Sequence, residues 1–537
     1  MRPSFAGTAE LRRGGNRPAA EQEAQLFRKG LALHRQGKLP QARQLFEKIA
    51  RKNPTHAEAL YYLSVIENQV GRPKKALALC ERLIALDPDN AVYHNNRGFL
   101  LNGLNRLDEA LAAYDRAIRL QLDYATAHNN RGLVLKELDR PEEALAAYDC
   151  ALTLRPDMAA VHNNRGVVLT ALKRWDEALE SVDRALALEP GLATAHNNRG
   201  VTLKCLDRLD ESLDSFGHAL ALTPEDGECH FNRSQCWLLR GDFVRGWEEY
   251  SWRSALKVLE MADARALHRR PLPADLGGKH VVVVREMGLG DELFFLRFAP
   301  RLAERGARVT YLAEPRLVGM LDRAKIVDRV MAAGGKPGLF DLKLTVGDLP
   351  WLLGDSGTPT PGAFPIPAQP DREAALSAQL QAFGPPPYVG LTWRAGRNEK
   401  GVLFKEIPFD MLAGAVSPLG GSLVALQRRP DAGEIGAFAR AAGKPVLDLT
   451  AANDDLEDML ALAGRLDFYV CVSNTNLHLR AARGRTSHVL VPTPPEFRWM
   501  ADGAESPWFH GTRVFRQQPT GDWSSALTRL ARELADR

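Results

Sequence analysis

Three stretches carry residues whose types and order can do chemistry. In the first, Val281-Val282-Val283-Val284 runs into Glu286-Met287-Gly288-Leu289-Gly290-Asp291, an apolar strand followed by a glycine turn and a helix start. Glycines at 288 and 290 let the backbone approach a ligand, and a helix N-terminus favours an anion. A dinucleotide fingerprint needs a third glycine where Leu293 stands, so NAD binding is not expected. Asp291 is placed to take a proton from an acceptor hydroxyl, and it is equally placed to be an ordinary N-cap. In the second stretch an apolar strand from Asp467 ends in Ser473-Asn474-Thr475-Asn476, with His478 one turn into the next helix. Small polar residues there suit a phosphate cradle; the asparagines can also be caps, and His478 a core histidine. The third set is cationic: Arg394 follows the strand Val389 to Trp393, and Lys405 precedes Pro408. Such residues neutralise the charge growing on a diphosphate leaving group. No Asp-x-Asp pair stands at a strand end, so no metal ligand is expected. Gln427 follows the strand Ser422 to Leu426, at the carboxyl edge where sheet ligands bind.

Two kinds of scaffold must position these residues. His94-Asn95-Asn96-Arg97-Gly98 recurs at His128, His162 and His196, with a worn copy at His230-Phe231-Asn232-Arg233-Ser234, each 34 residues after the last. An unbroken period of this length marks stacked helical hairpins. Gly98, Gly132, Gly166 and Gly200 mark where helix A meets helix B, Ala110, Ala144 and Ala178 allow close approach, and Pro156, Pro190 and Pro224 end units. This pattern resembles the tetratricopeptide repeat (TPR). Counting back places a first repeat near Glu21, so 21–263 reads as an array of about seven repeats behind a disordered tail, 1–20. Gly246-Trp247-Glu248-Glu249-Tyr250-Ser251-Trp252-Arg253 replaces the alanine-rich helix of the last unit, as in an end-cap that docks onto something else or, alternatively, a core-filling cap with no ligand. Strands and helices then alternate, giving two Rossmann-like lobes, 264–385 and 386–537, the second binding nucleotide. The fold class expected is an α-solenoid followed by α/β.

Composition narrows the function. The 70 basic and 66 acidic residues leave +4, which argues against a nucleic-acid binder. Six cysteines with no C-x-x-C pair suggest neither zinc knuckle nor disulfide scaffold, and fit a reducing cytoplasm. No segment is apolar for long enough to span a membrane, and the first residues do not read as a secretory signal.

From about Gly277 onward the chain resembles the glycosyltransferase-like domains that follow TPR arrays in many bacterial proteins. It is similar, more distantly, to lipopolysaccharide heptosyltransferases and to the catalytic half of O-GlcNAc transferase, which share the two-Rossmann GT-B architecture. Glu286 to Asp291, Gly390 to Trp393, Leu426-Gln427, Asp467 to Leu479, Ser506 to Phe509 and Gly521 to Trp523 carry the likeness. The resemblance implies Asp291 as general base, Lys405 as a phosphate contact and the segment ending in His478-Leu479 as the pyrophosphate holder. Ser473-Asn474 replaces the family's Asp-Thr, and Arg480 stands where a small residue is usual, a cation able to contact phosphate itself. The implied donor site is Gly288, Gly290, Arg394, Lys405, Gln427, Ser473, Asn474, Thr475, Asn476 and His478. Asn96, Asn130, Asn164, Asn198 and Asn232 share one repeat position and resemble the asparagine ladder of O-GlcNAc transferase, which implies an acceptor peptide on the concave TPR face. Their alternative is hydrogen bonding within the stack. The function expected is transfer of a sugar from a nucleotide-sugar substrate to a protein hydroxyl, with no further cofactor. The alternative is a non-enzymatic TPR scaffold with a degenerate transferase domain, favoured by the Ser473-Asn474 change.

Overall fold

The computed structural model describes residues 17–253, 270–286, 288–354, 361–395 and 405–536. Most of the expected N-terminal tail, the expected end of the array within 254–269, and Met287 of the glycine turn lie outside the described residues. The chain divides into two compact units, Met1–Asn198 and Arg199–Arg537.

The first unit is a run of antiparallel helical hairpins: Arg17–Arg35 with Leu39–Lys52, Ala57–Gln69 with Pro73–Leu86, Ala91–Gly103 with Leu107–Leu120, Ala125–Glu137 with Pro141–Leu154, and Ala159–Ala171 with Trp175–Leu188. Helix A commonly offers a glycine where helix B offers a ring, as in the first, third and fourth hairpins; Gly166 faces Val182, and Ser64 takes the glycine position in the second, donating to the Ala76 carbonyl. A Cβ on Gly98 would fall 2.7 Å from the Tyr114 ring, and one on Gly132 2.6 Å from Tyr148. The repeated histidine ties each hairpin to the preceding turn. His94, His162 and His196 Nε2 donate to the carbonyls of Pro88, Pro156 and Pro190 at 2.8, 2.9 and 2.9 Å. The bend between helices A and B needs a left-handed residue, found at Gly37, Gly71, Asn105, Asp139 and Lys173, one repeat length apart. Glycine takes that conformation freely and Asn or Asp tolerate it.

Repeat helices continue as Ala193–Cys205, Leu209–Leu222, Gly227–Leu239 and Phe243–Tyr250. In the second unit they lead into sheets. Strands β1 (His280–Val284), β2 (Arg308–Ala313), β3 (Arg329–Ala332) and β4 (Leu342–Thr345) form a parallel sheet in the order β3-β2-β1-β4. Strands β5 (Tyr388–Thr392), β8 (Ser422–Ala425), β9 (Val446–Asp448), β10 (Phe468–Val472), β11 (His488–Val491) and β13 (Phe509–Arg516) form a second parallel array, edged by the antiparallel β12 (Glu505–Ser506). A short antiparallel ribbon, β6 (Arg394–Ala395) with β7 (Lys405–Glu406), stands apart. The helix that starts at the glycine turn is interrupted, forming Leu289–Leu296 and Pro300–Glu304, because Pro300 cannot continue the first.

The last repeat hairpin packs into the sheet region. Trp247 is fully buried, with ring contacts to Phe295 at 5.9 Å, Phe497 at 5.5 Å and Trp508 at 5.7 Å. One continuous apolar core includes Phe216, Trp247 and Tyr250 together with Phe294, Phe295, Trp499 and Trp508. The docking expected of this hairpin is thus onto its own α/β region.

Candidate functional site

The glycine turn after β1 begins the helix Leu289–Leu296, with Gly288 as N-cap. Asp291 is not itself the N-cap that the sequence allowed: it stands three residues in, and its Oδ2 accepts from the N–H of the N-cap residue Gly288 at 3.4 Å. Its Oδ1 is ion-paired with Arg498. Gly290 faces the second sheet: a Cβ there would lie 3.3 Å from the His478 ring and 3.7 Å from Thr475 Oγ1. Thr475 and His478 belong to the helix Thr475–Ala482, which begins directly after β10. Two helix N-termini therefore meet across the Gly290–His478 contact, and both present the positive end of a helix dipole.

Charged side chains close around this meeting point. Ser473 Oγ donates to Glu496 Oε2 at 2.9 Å, Lys405 Nζ donates to the Ser473 carbonyl at 3.2 Å, and Lys405 is ion-paired with Glu496. Arg498 Nη1 lies 3.9 Å from Glu496. The β6–β7 ribbon sets Lys405 in place by pairing it with Ala395. Burial works against the Glu496 charge, but Lys405 and Arg498 outweigh it and hold the carboxyl below its ordinary range. For Arg498 burial is likewise outweighed, by Asp291 and Glu496, and its proton is held more tightly than usual. Arg297 is buried with no carboxylate partner among the described residues. It donates to the carbonyls of Phe294, Pro361 and Trp508 at 2.9, 3.2 and 2.6 Å, and burial, then Arg498, push it down to about 9.

His478 sits at the centre, 6% exposed, edge-on to Phe509 at 5.2 Å. Its Nδ1 is buried without a hydrogen-bond partner among the described residues. Burial, then Arg498, Arg297 and Lys405, drive its pKa well below the ordinary histidine value, so the ring is neutral. Three cations against two carboxylates leave a surplus of positive charge, which favours an added anion. Among the described residues, no three His, Cys, Asp or Glu side chains gather to hold a metal ion.

The other sequence-designated residues are occupied elsewhere. Asn474 caps its helix, accepting from Leu477 N–H at 3.0 Å and donating to the Tyr469 hydroxyl at 3.1 Å. Asn476 donates to Asn453 at 3.0 Å. Arg394 is held by Glu434 at 2.9 and 3.0 Å. Gln427 accepts from the Trp393 and Arg394 amides at 3.2 and 2.9 Å and donates back to the Arg394 carbonyl at 3.1 Å, lacing the ends of β5 and β8 together. Arg480 corrects an expectation. It is 1% exposed and donates to the carbonyls of Thr486, Ala463, Leu466 and Asp467 at 2.6 to 3.0 Å, so it secures the end of the helix Leu456–Arg465 instead of reaching a phosphate. Glu496, Arg498 and Arg297 were not anticipated. The available signal was a pair of charges inside the aromatic run Glu496-Phe497-Arg498-Trp499.

In the repeats, Asn130, Asn164 and Asn198 Nδ2 donate to Asn95, Asn129 and Asn163 Oδ1 of the preceding copy at 3.1, 3.3 and 2.8 Å. The within-stack bonding weighed from sequence is therefore present. Asn130 also accepts from Asn129 Nδ2 at 3.3 Å, and all three residues remain half-exposed.

Tetratricopeptide-repeat family models match residues 27–91, 79–112, 100–139, 125–158 and 157–225. Residues 27–225 are tetratricopeptide repeats. Protein FlbA of Caulobacter vibrioides (strain ATCC 19089 / CIP 103742 / CB 15) is 28% identical over 334 residues, covering 57% of this chain and 54% of FlbA. The chain thus spans about half the length of that curated relative. Solved structures similar to the chain include PilF of Pseudomonas aeruginosa, 22% identical with a TM-score of 0.35, covering 38% of this chain and 93% of PilF. Another is the thermophilic TPR protein TTC0263 of Thermus thermophilus, 27% identical with a TM-score of 0.30, covering 34% of this chain and 98% of that protein. No helix among the described residues is long and apolar enough to cross a membrane.

Proposed function

We propose that the chain is a TPR-guided, metal-independent glycosyltransferase of the GT-B kind, moving a sugar from a nucleotide-sugar donor to a protein hydroxyl. The observation that carries this reading is the meeting of two helix N-termini at Gly290 and His478 inside a surplus of positive charge. The donor diphosphate lies beside this contact, against Lys405, Arg498 and Ser473. As the acceptor oxygen bonds to the anomeric carbon, the bond from that carbon to the diphosphate oxygen breaks, and Lys405 and Arg498 neutralise the departing charge. Asp291 accepts the hydroxyl proton. It is free to do so once the diphosphate draws Arg498 away. The half-exposed asparagine series lines the concave face of the repeats, where an extended acceptor segment is held.

A second reading, a scaffold with a degenerate transferase domain, is favoured by the closed state of the site. Asn474 is used as a cap and the Lys405 ammonium is already matched by Glu496. A thermal-shift titration with nucleoside diphosphates and inorganic pyrophosphate tests both. At a hundred times Kd, a ligand of the folded state adds about 2.7 kcal/mol, and Lys405→Ala should abolish the gain. No stabilisation by any of these anions sinks the transferase reading. Stabilisation without sugar transfer to any protein supports the scaffold.

A further inference from the structure

The last repeat hairpin ends in Arg253, whose side chain is 3% exposed and lies wholly inside the second unit. Its Nε and Nη2 donate to the two oxygens of Glu286 at 2.7 Å each, a bidentate fork. Its Nη1 donates to Asp348 at 2.5 Å and to the Tyr250 carbonyl at 3.0 Å. Thr345 completes the cluster, donating to Asp348 Oδ2 at 2.7 Å. Glu286 follows β1 and stands two residues before Gly288; Asp348 lies in the turn after β4, the neighbour of β1. Two buried carboxylates are thus gathered at one sheet edge, and the single cation they share comes from the repeat array.

We infer that Arg253 is a positioning residue for the candidate site: a side chain from the last repeat hairpin fixes the end of β1, and through it the Gly288–Asp291 turn. Glycine at 347 makes room for it. A Cβ there would lie 2.6 Å from Arg253 Nη2 and 2.7 Å from Glu286 Oε1, so any larger residue would push the fork off its carboxylate. A second attachment acts from the other side of the turn. Tyr250, with Arg253 Cζ 4.7 Å from its ring, packs at 5.6 Å on Phe295, which shares a helix with Asp291. The turn is therefore gripped before its first glycine by ionic contacts and after Asp291 by an aromatic one, both from the same hairpin. A planar guanidinium fits a carboxylate with two parallel bonds, which an ammonium cannot reproduce.

The catalytic consequence rests on the proposed function; the positioning itself does not, and hydrogen exchange on the full-length protein tests it without a ligand. In Arg253→Gln the amides of 292–295, the first bonded across the turn (Glu292 N–H to the Gly288 carbonyl at 3.0 Å), should exchange at least about tenfold faster, while those of β10 and β11 keep their wild-type protection. Arg253→Lys, which keeps the charge but loses the fork, should show a smaller rise at the same amides. The double variant Arg253→Gln with Glu286→Gln should regain melting temperature without regaining turn protection. Equal protection of 292–295 in the variants, or a uniform rise across 199–537, overturns the inference. Should the glutamine variant fail to fold, the lysine variant decides on the same comparison. Titration with inorganic pyrophosphate separates the two ideas. A wild type that binds none removes the functional reading and leaves the exchange result standing, whereas a wild type that binds and an Arg253→Lys that binds about tenfold more weakly supports both.

Discussion

Asp291 and Arg498 stand 207 residues apart in the sequence and form an ion pair, joining the glycine turn after β1 to the segment after β11. The same guanidinium lies 4.6 Å from the Phe294 ring and 4.7 Å from Phe497, so its position is set by packing as well as by charge. Both carboxylate oxygens of Asp291 are then engaged, one by Arg498 and one by the Gly288 amide. A carboxylate so held caps its helix in the resting protein; under the proposed function it becomes a proton acceptor when an anion competes for Arg498.

Asp291→Asn separates those two roles. Asparagine retains the shape and the cap but accepts no proton, so transfer should fall about 10²–10⁴-fold. Nucleoside diphosphate affinity should hold or rise, because Arg498 is released toward the anion. Sugar transfer and calorimetric titration on the same preparation check this. Wild-type transfer rates in the variant would return Asp291 to the role of a cap.

Arg480→Met should be costly even though the residue lies outside the anion site. Four carbonyls lose a charged donor at once, two of them, Ala463 and Leu466, through buried bonds, and an orphaned buried acceptor costs about 1–3 kcal/mol. A loss of about 3 kcal/mol or more in urea unfolding is expected, followed by tryptophan fluorescence. A loss under about 1 kcal/mol would show that water replaces the guanidinium.

The repeats were legible in the sequence because each of their devices is local and recurs. One feature escaped: the left-handed bend at Asn105, Asp139 and Lys173 has no glycine to announce it. In the sheets, β1, β5, β10 and β11 could be read because strands buried on both faces are continuous apolar runs. Strand β13 could not. His510, Gly511, Arg513 and Arg516 break its pattern, since it lies beside the edge strand β12 and part of it is exposed. At the candidate site, local patterns located Gly290, Asp291, Lys405, Ser473 and His478. Partners such as Arg498 for Asp291 and Arg253 for Glu286 belong to distant segments, and no spacing rule connects them.

Alanine at the asparagine pairs distinguishes packing from recognition. Each inter-repeat bond should contribute about 0.5–1.5 kcal/mol, so Asn163→Ala and Asn198→Ala should lower stability alike. Asn163 is buried and Asn198 half-exposed. Only the change at 198 removes exposed amide capacity, and it should weaken acceptor-peptide binding more than the change at 163. Equal affinities for both variants would make the series a purely structural device.

Trp247→Ala tests how far the last hairpin belongs to the α/β region. Emptying a fully buried tryptophan site costs about 3–5 kcal/mol, and all its aromatic neighbours lie in the second unit. Unfolding of that unit, followed by fluorescence, should shift while the helical signal of the repeats at 17–198 keeps its own midpoint. A repeat fragment cut near residue 265 should precipitate for the same reason, because Trp247 and Tyr250 lose their cover. A soluble, monomeric fragment of that length would contradict it.

His478 gives the second unit a pH dependence whose sign follows from its surroundings. Burial, then Arg498, Arg297 and Lys405, disfavour its protonated form, so the folded ring stays neutral well below the ordinary value. In the unfolded chain the same ring takes up a proton near pH 6.5, as an unperturbed histidine does. Below about pH 6.5 the unfolded state therefore binds more protons than the folded one, and stability is lost as pH falls. From this group alone the loss approaches, at most, about 1.4 kcal/mol per pH unit. Glu496, held below its ordinary range, adds a loss in the same direction only at more acid pH. Urea unfolding between pH 7.5 and 5.5, read by fluorescence, should show the decline in the wild type and a flatter curve in His478→Gln. Parallel curves would mean that the ring is already protonated in the folded protein, and the surplus of positive charge around it would then be smaller than the arrangement of Arg297, Arg498 and Lys405 requires.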